Sequence, residues 1–237
     1  MRIVIDAALL IIIIICSWNG SKKGLVNSAS GILAMIVALF VSCLLSASFS
    51  GEAITALRPF VNGYVETQSN NSVLDSLGIN ASGKSLYDAI DADPGLRERY
   101  CEECFKSLGI HERRADDMAQ DAVELIEQTD IDVTDAVVEV LCQTVTYVFG
   151  VVLAFALMVI IFTVISNLFN LSFRIPGMPD VDSIGGIVAG FVKGFLYCVL
   201  LCWLLSYCGL IIGKNTLDNT LLGRFFLMFE FITGIII

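Results

Sequence analysis

Glycine recurs at every fourth position within a long apolar segment near the C-terminal end of the chain. The segment runs from Asp182 to Ile212 and contains Gly186, Gly190 and Gly194. Because four helical residues turn through about 400°, the three glycines lie on one slowly drifting stripe of a helix. Glycine is unfavourable inside a soluble helix, but in a bilayer it lets two helix backbones approach closely. The pattern therefore predicts a helix that packs tightly within a membrane bundle.

An earlier apolar segment carries a small residue at every fourth position. These residues are Ser30, Ala34, Ala38, Ser42, Ser46 and Ser50. The stripe that they form suits a close crossing with another helix. We expect its partner to be the glycine stripe of the last apolar segment.

Four segments are apolar enough to be considered as membrane spans. They are Ile3–Trp18, Gly31–Phe49, Val145–Leu171 and Ile184–Ile212. The 237 residues are 56% hydrophobic and only 16% charged, whereas ordinary soluble domains are about 25% charged. A span needs roughly 20 apolar residues, so the first segment is marginal and the other three qualify. We expect an all-α integral membrane protein with four transmembrane helices.

The first apolar segment has an alternative interpretation as a cleaved signal peptide, because the basic Arg2 precedes it. Asp6 interrupts the apolar run, however, and Ser17-Trp18-Asn19 does not have the small residues of a cleavage site. A retained span is therefore the preferred interpretation.

The acidity of the chain belongs to one part of it. The net charge is −10, and residues 51–136 hold 7 Lys and Arg against 18 Asp and Glu, which gives −11. We expect this part to be a small, helical, extramembrane insertion between spans two and three. Its acidity argues against nucleic-acid binding, which needs a basic surface, and against docking of this insertion on anionic lipid.

Local signals divide the chain into four parts. These are 1–50 with spans one and two, 51–136 as the insertion, 137–213 with spans three and four, and 214–237 as an amphipathic, interfacial tail. Residues 19–24 are expected to be a short connection. A helix from Val137 to Leu171 would be about 52 Å long, so its first turns should project beyond a hydrocarbon core of about 30 Å.

Proline and capping residues locate further helix ends. Pro59 and residues 66–71 are expected to be irregular. Short helices are expected over residues 86–90, 96–108 and 118–131, and Pro94 is expected at the first helical position. Residues 174–182 should form a turn because they contain two prolines, and Asp182 or Ser183 should cap the helix that follows.

Two motifs resemble those of a known family. Asp6 is followed by a turn that reads Gly20-Ser-Lys-Lys23-Gly24, and Pro176-Gly177 and Asp182 lead into Gly186-x3-Gly190-x2-Lys193-Gly194. In both motifs the chain resembles the bacterial colicin V production protein family (CvpA). The resemblance implies a four-span protein of the bacterial inner membrane that is linked to the production or export of a peptide toxin. The family has no agreed biochemical activity, and the acidic insertion departs from it.

The two motifs also resemble each other. Gly20-x-x-Lys23-Gly24 parallels Gly190-x-x-Lys193-Gly194. With alternating spans, both would lie toward the same membrane face, and a two-fold relation of this kind is typical of transporters. We therefore include Gly20 and Gly24 with the three later glycines as predicted helix-packing residues.

Charged residues within the apolar segments are candidates for a polar path. Such residues are costly in hydrocarbon and are usually functional, which makes Asp6 and Lys193 candidates, together with Lys23. The alternative is structural: Lys193 reaches the membrane interface with its long side chain, and Asp6 caps the first helix. A direct pair between Asp6 and Lys193 is not expected, because they lie toward opposite faces.

The sequence contains no recognisable catalytic constellation, so we expect no enzyme and no cofactor. Six of the eight cysteines lie in apolar runs. Cys101 and Cys104 lie in polar sequence at CxxC spacing, but zinc would need two more ligands and only His111 is near. Two ordinary thiols are preferred over a metal site or a local disulfide.

Two classes of function remain. The first is an oligomeric transporter or channel-like component that passes a peptide or small solute, with the lipid bilayer and other copies of the chain as its partners. The alternative is a membrane scaffold that recruits a partner through residues 51–136. Long loops are translocated largely regardless of charge, so we expect the N-terminus and residues 51–136 to be external.

Overall fold

A computed structural model describes residues 2–68, 73, 90, 94–168, 179–207 and 220–228. In this part of the chain the regular structure is helical, with no strand. The helices are α1 (Arg2–Lys23), α2 (Leu25–Gln68), α3 (Pro94–Ser107), α4 (Glu112–Thr129), α5 (Val133–Leu168), α6 (Pro179–Tyr207) and α7 (Leu221–Leu227). By length and composition α1, α2, α5 and α6 can each cross a membrane. The predicted all-α membrane fold with four spans is confirmed.

The chain forms two compact units. The first comprises Met1–Ser46, Phe149–Leu205 and Thr216–Ile237, and the second comprises Ala47–Val148 and Ser206–Asn215. Helices α2, α5 and α6 contribute residues to both units, so the boundaries of the units fall inside helices.

The connection between α1 and α2 is a single residue. Helix α1 continues to Lys23. Lys22 and Lys23 therefore lie in its last turn, where their positive charges complement the partial negative charge of the helix end. Gly24 follows with φ of 81°, a left-handed conformation that glycine adopts without steric cost. The prediction of a connection over residues 19–24 was wrong at its start, because the helix tolerates Gly20 and ends only at Gly24.

Helix α6 packs its glycine stripe against α1. A Cβ atom on Gly186 would overlap the carbonyl oxygen of Gly20, and one on Gly194 would lie 3.0 Å from the Cα atom of Ile13. The two backbones are therefore in direct contact. The expectation that the glycine stripe faces the small residues of α2 was wrong.

The small residues of α2 have a different neighbour. Ala38, Ser42 and Ser46 are buried, and a Cβ atom on Gly150 of α5 would overlap the hydroxyl of Ser46. The period of four identifies a buried face at Ala38, Ser42 and Ser46, whereas Ser30 is exposed, and the contact at Ser46 is with α5.

Helix α2 continues well beyond its apolar segment. It runs through Pro59 to Gln68, so the prediction of irregular structure from Pro59 was wrong. Proline removes one backbone hydrogen bond from a helix interior and disfavours helix there. Here apolar burial offsets this cost, because Val61 and Val65 pack on the core of the second unit.

The second unit has an apolar core between α3, α4 and the first turns of α5. Its largest fully buried side chains include Tyr100, Phe105 and Val137. Pro94 is the first residue of α3, as its sequence signal predicts. Of the helix predicted over residues 86–90, only Ile90 lies within the described residues.

The two CxxC cysteines are part of this core. Cys101 and Cys104 are 0% and 1% exposed, and burial raises the pKa of the Cys104 thiol to about 12. Although both residues lie in polar sequence, the α3 face that carries them points into the apolar core. Among the described residues no cluster of His, Cys, Asp and Glu is arranged to hold a metal ion.

Candidate functional site

A cavity of about 580 Å³ lies within the first unit, between α1, α2, α5 and α6. All four of its walls carry polar side chains, and those of α2 include Ser28 and Ser30. Asn19 and Lys23 come from α1, Thr163 and Ser166 from α5, and Lys193 and Tyr197 from α6. Two of the three residues predicted for a polar path, Lys23 and Lys193, thus line one cavity.

Lys193 is half-buried in the wall that α6 contributes. Its ammonium nitrogen lies 5.9 Å from the ring centroid of Tyr197, at a distance where a cation and an aromatic face attract each other. A Cβ atom on Gly31 of α2 would lie 3.2 Å from the same nitrogen. The missing side chain at Gly31 therefore provides the space into which the lysine extends.

Lys23 supplies the second positive charge of the cavity. It is the last residue of α1 and is exposed, and its charge acts on that of Lys193. The neighbouring Lys22 is different, because it does not line the cavity and instead lies 5.3 Å from the ring centroid of Trp18. Among the described residues, no carboxylate lines the cavity or forms an ion pair with Lys23 or Lys193.

Three hydroxyl groups of the cavity already donate hydrogen bonds within their own helices or to a neighbouring helix. Ser28 donates to the carbonyl oxygen of Gly20 at 3.3 Å, Ser30 to that of Asn27 at 2.9 Å, and Thr163 to that of Val159 at 2.7 Å. These three hydroxyl groups therefore donate to the backbone. The ammonium groups of Lys23 and Lys193 are the charged donors that line the cavity.

Asp6, the third predicted path residue, does not line the cavity. Its carboxylate accepts hydrogen bonds from the backbone N–H groups of Leu221, at 3.4 Å, and Leu222, at 3.0 Å. Asp6 therefore holds the first turn of α7 against α1 and does not cap α1, the other role considered for it. Phe226 of α7 is buried beside Leu9 of α1 and Cys198 of α6, which shows that α7 packs on this unit.

Asp182 fixes the joint beside the cavity. Helix α6 begins three residues earlier, at Pro179, so the expectation that Asp182 caps α6 was wrong. Its carboxylate is 7% exposed and accepts a hydrogen bond of 2.8 Å from the backbone N–H of Leu25, the first residue of α2. The leading residues of the motif, Pro176 and Gly177, lie outside the described residues.

The predicted glycines shape the crossing that supports the cavity. Gly20 and Gly190 lie in its wall, and a Cβ atom on Gly20 would lie 2.9 Å from the Cα atom of Gly190. Sequence reasoning did not find Asn19, Thr163 or Tyr197. Asn19 and Lys23 are four residues apart and share a face of α1, a signal that could have identified Asn19.

Four apolar helices around a polar cavity define a multi-pass helical membrane protein. Residues 115–230 match the family model described as Colicin V production protein. The predicted resemblance to the colicin V production protein family is therefore confirmed over these residues.

The match covers just under half of the chain. It includes Asp182 and the glycines of α6 but neither α1 nor α2, and it begins at Ala115, inside the acidic part of the sequence. No curated protein and no solved structure matches this chain with significance.

Proposed function

We propose that this protein is a non-enzymatic membrane component that supports the export or passage of a small solute or peptide in toxin production. The observation that carries the proposal is the cavity in which Lys193 and Lys23 lie together. A positive charge within a membrane span needs water, a partner or an oppositely charged ligand. A cavity that provides such a place among four apolar helices is the feature expected of a site of passage.

We further propose that the protein works as a homo-oligomer in the bacterial inner membrane. A volume of about 580 Å³ is typical of a site for a small molecule, whereas an extended peptide would need lining from more than one chain. Large apolar side chains remain exposed on α1 and α5, including Ile11, Ile14, Leu153 and Leu157. These faces can contact lipid or another copy.

Replacing Lys193 with methionine is expected to reduce flux by at least about tenfold, because the change removes the charge but keeps most of the side-chain volume. The measurement is solute or peptide flux in proteoliposomes that contain the purified protein. Lys22→Met is the matched control, since Lys22 carries the same charge but does not line the cavity. Normal flux in Lys193→Met, with unchanged expression and oligomeric state, would remove the basis of the transport proposal.

A scaffold is the second candidate function, and α4 favours it. One face of α4 is acidic and exposed, with Asp117, Asp121 and Glu124 close together. Burial raises the pKa of Asp121, and the charges of Asp117 and Glu124 raise it further. Such a face suits a basic partner surface. The scaffold proposal requires that Asp117→Asn with Glu124→Gln abolishes the cellular phenotype while Lys193→Met leaves it intact.

We propose that the N-terminus and residues 51–136 lie outside the cell. We expect an impermeant maleimide to label Gln120→Cys on intact cells, because position 120 lies on the exposed face of α4. Native Cys101 and Cys104 should give little background, since both are buried and the pKa of Cys104 is about 12. A matched Lys22→Cys variant should react only after lysis. The opposite labelling pattern would reverse the topology.

A further inference from the structure

We propose that the lysine-lined cavity is a binding site for a phosphate group, with the ammonium groups of Lys23 and Lys193 as its donors. The inference deepens the proposed function, because it assigns a ligand chemistry to the same cavity. It is tested by binding alone, however, and does not require that the ligand be transported.

The charge balance of the cavity is the first argument. Two ammonium groups share the cavity and repel each other. No carboxylate of the described residues lines it. The carboxylate of Asp182 is engaged elsewhere, because it accepts a hydrogen bond from the backbone N–H of Leu25 at the start of α2. A phosphate monoester carries a charge of about −1.5 to −2 near neutral pH. It would therefore compensate both lysines at once, whereas a single carboxylate would compensate only one.

The distribution of donors is the second argument. The hydroxyl protons of Ser28, Ser30 and Thr163 go to backbone carbonyl oxygens. The two lysines together present six N–H donors, and lysine acts toward phosphate as a point charge that does not need fixed planar geometry. Tetrahedral phosphate oxygens can accept from both lysines at once, which favours phosphate over a planar, singly charged group.

The position of the cavity is the third argument. Basic pockets between transmembrane helices bind the phosphate-bearing headgroups of anionic lipids. Thr163 and Ser166, in the α5 wall, are exposed, so the cavity opens between helices toward its surroundings. The same chemistry fits a free phosphate compound, and its volume of about 580 Å³ accommodates either source.

The experiment uses the full-length protein in neutral detergent and in nanodiscs. Inorganic phosphate is titrated in detergent, with acetate at equal ionic strength as the anion control, and binding is measured by native mass spectrometry and thermal shift. The nanodisc arm compares phosphatidylcholine alone with phosphatidylcholine that contains phosphatidic acid, whose headgroup is a phosphate monoester. A response to inorganic phosphate assigns a free phosphate compound, and a response to phosphatidic acid alone assigns a lipid headgroup.

Either response should weaken by at least about tenfold in Lys193→Gln and in Lys23→Gln, since each removes a charged hydrogen bond. Lys22→Gln should leave binding unchanged, and Lys193→Arg should retain most of it because the charge is kept. Circular dichroism and the oligomeric state check that each variant is folded.

Three outcomes would overturn the inference: no response to either probe, an equal response to acetate, or an equal loss in Lys22→Gln. Binding without flux would leave this inference standing and remove the proposed transport function. Flux without phosphate binding would leave the proposed transport function standing and overturn this inference. The two proposals can therefore fail separately.

Discussion

Replacing Gly190 with alanine is expected to lower the free energy of unfolding by about 3 kcal/mol, at the upper end for an overpacked core. A Cβ atom there would overlap the carbonyl oxygen of Cys16 and lie 3.0 Å from the Cα atom of Ser17. Both obstacles are backbone atoms of α1, which cannot move aside as a flexible side chain can. Leucine at the same position is expected to prevent the α1–α6 contact altogether, whereas Leu200→Val should be mild.

The matched control for this prediction is Gly63→Ala. Gly63 also lies inside a helix, α2, but no atom lies within 4 Å of a Cβ atom placed on it. Alanine should therefore stabilise α2 by about 0.5–1 kcal/mol, because it reduces the backbone entropy lost on folding. Thermal unfolding in detergent, followed by circular dichroism, measures both variants. If the two changes have the same effect, the close approach of α1 and α6 does not contribute to stability.

The sequence predicts the membrane helices well because their signal is local. An apolar segment of about 20 residues must satisfy its backbone hydrogen bonds internally, so it forms a helix in the bilayer wherever it occurs. The glycine period likewise identifies which face of α6 is small. It does not identify which helix covers that face, because α1 and α2 both carry small residues, and the contact with Gly20 depends on the assembled bundle.

The candidate site is less predictable because its residues come from distant parts of the sequence. Lys23, Thr163 and Lys193 lie on three different helices, and no spacing within one helix relates them. Intramembrane charge was a sufficient signal to select Lys193, and the family motif added Lys23. It was not sufficient for Asp6, whose carboxylate is engaged by the backbone of α7.

The polarity of neighbouring residues in sequence does not determine whether a helical side chain is buried. Cys101 and Cys104 are surrounded by charged residues in sequence. Helical geometry turns these neighbours outward, where Lys106 forms an ion pair of 2.7 Å with Glu102, while both thiols point into the core. Residues three apart share a helix face. The CxxC spacing therefore indicates here that both cysteines lie on the buried face of α3.

Asp182→Ala is expected to lower the free energy of unfolding by about 2 kcal/mol. The substitution removes a buried carboxylate and leaves the backbone N–H of Leu25 without the partner that now lies 2.8 Å away, and an unmade hydrogen bond of this kind costs about 1–3 kcal/mol. It would also open the space beside Gly24, where a Cβ atom would now overlap the Asp182 carboxylate. The joint between α1 and α2 should become more accessible to proteolysis and hydrogen exchange.

Asp180→Ala is the matched control, because Asp180 lies in the same first turn of α6 but is exposed. It should lose only the favourable interaction of a carboxylate with a helix N-terminus, about 0.3–1 kcal/mol. Asp182→Asn should lie between the two, since its amide oxygen can still accept from Leu25. Lys23 is adjacent to the joint and lines the cavity, so Asp182→Ala should also weaken ligand binding, although Asp182 itself does not contact the cavity. A stability change no larger than that of Asp180→Ala would show that the Leu25 hydrogen bond does not hold the joint.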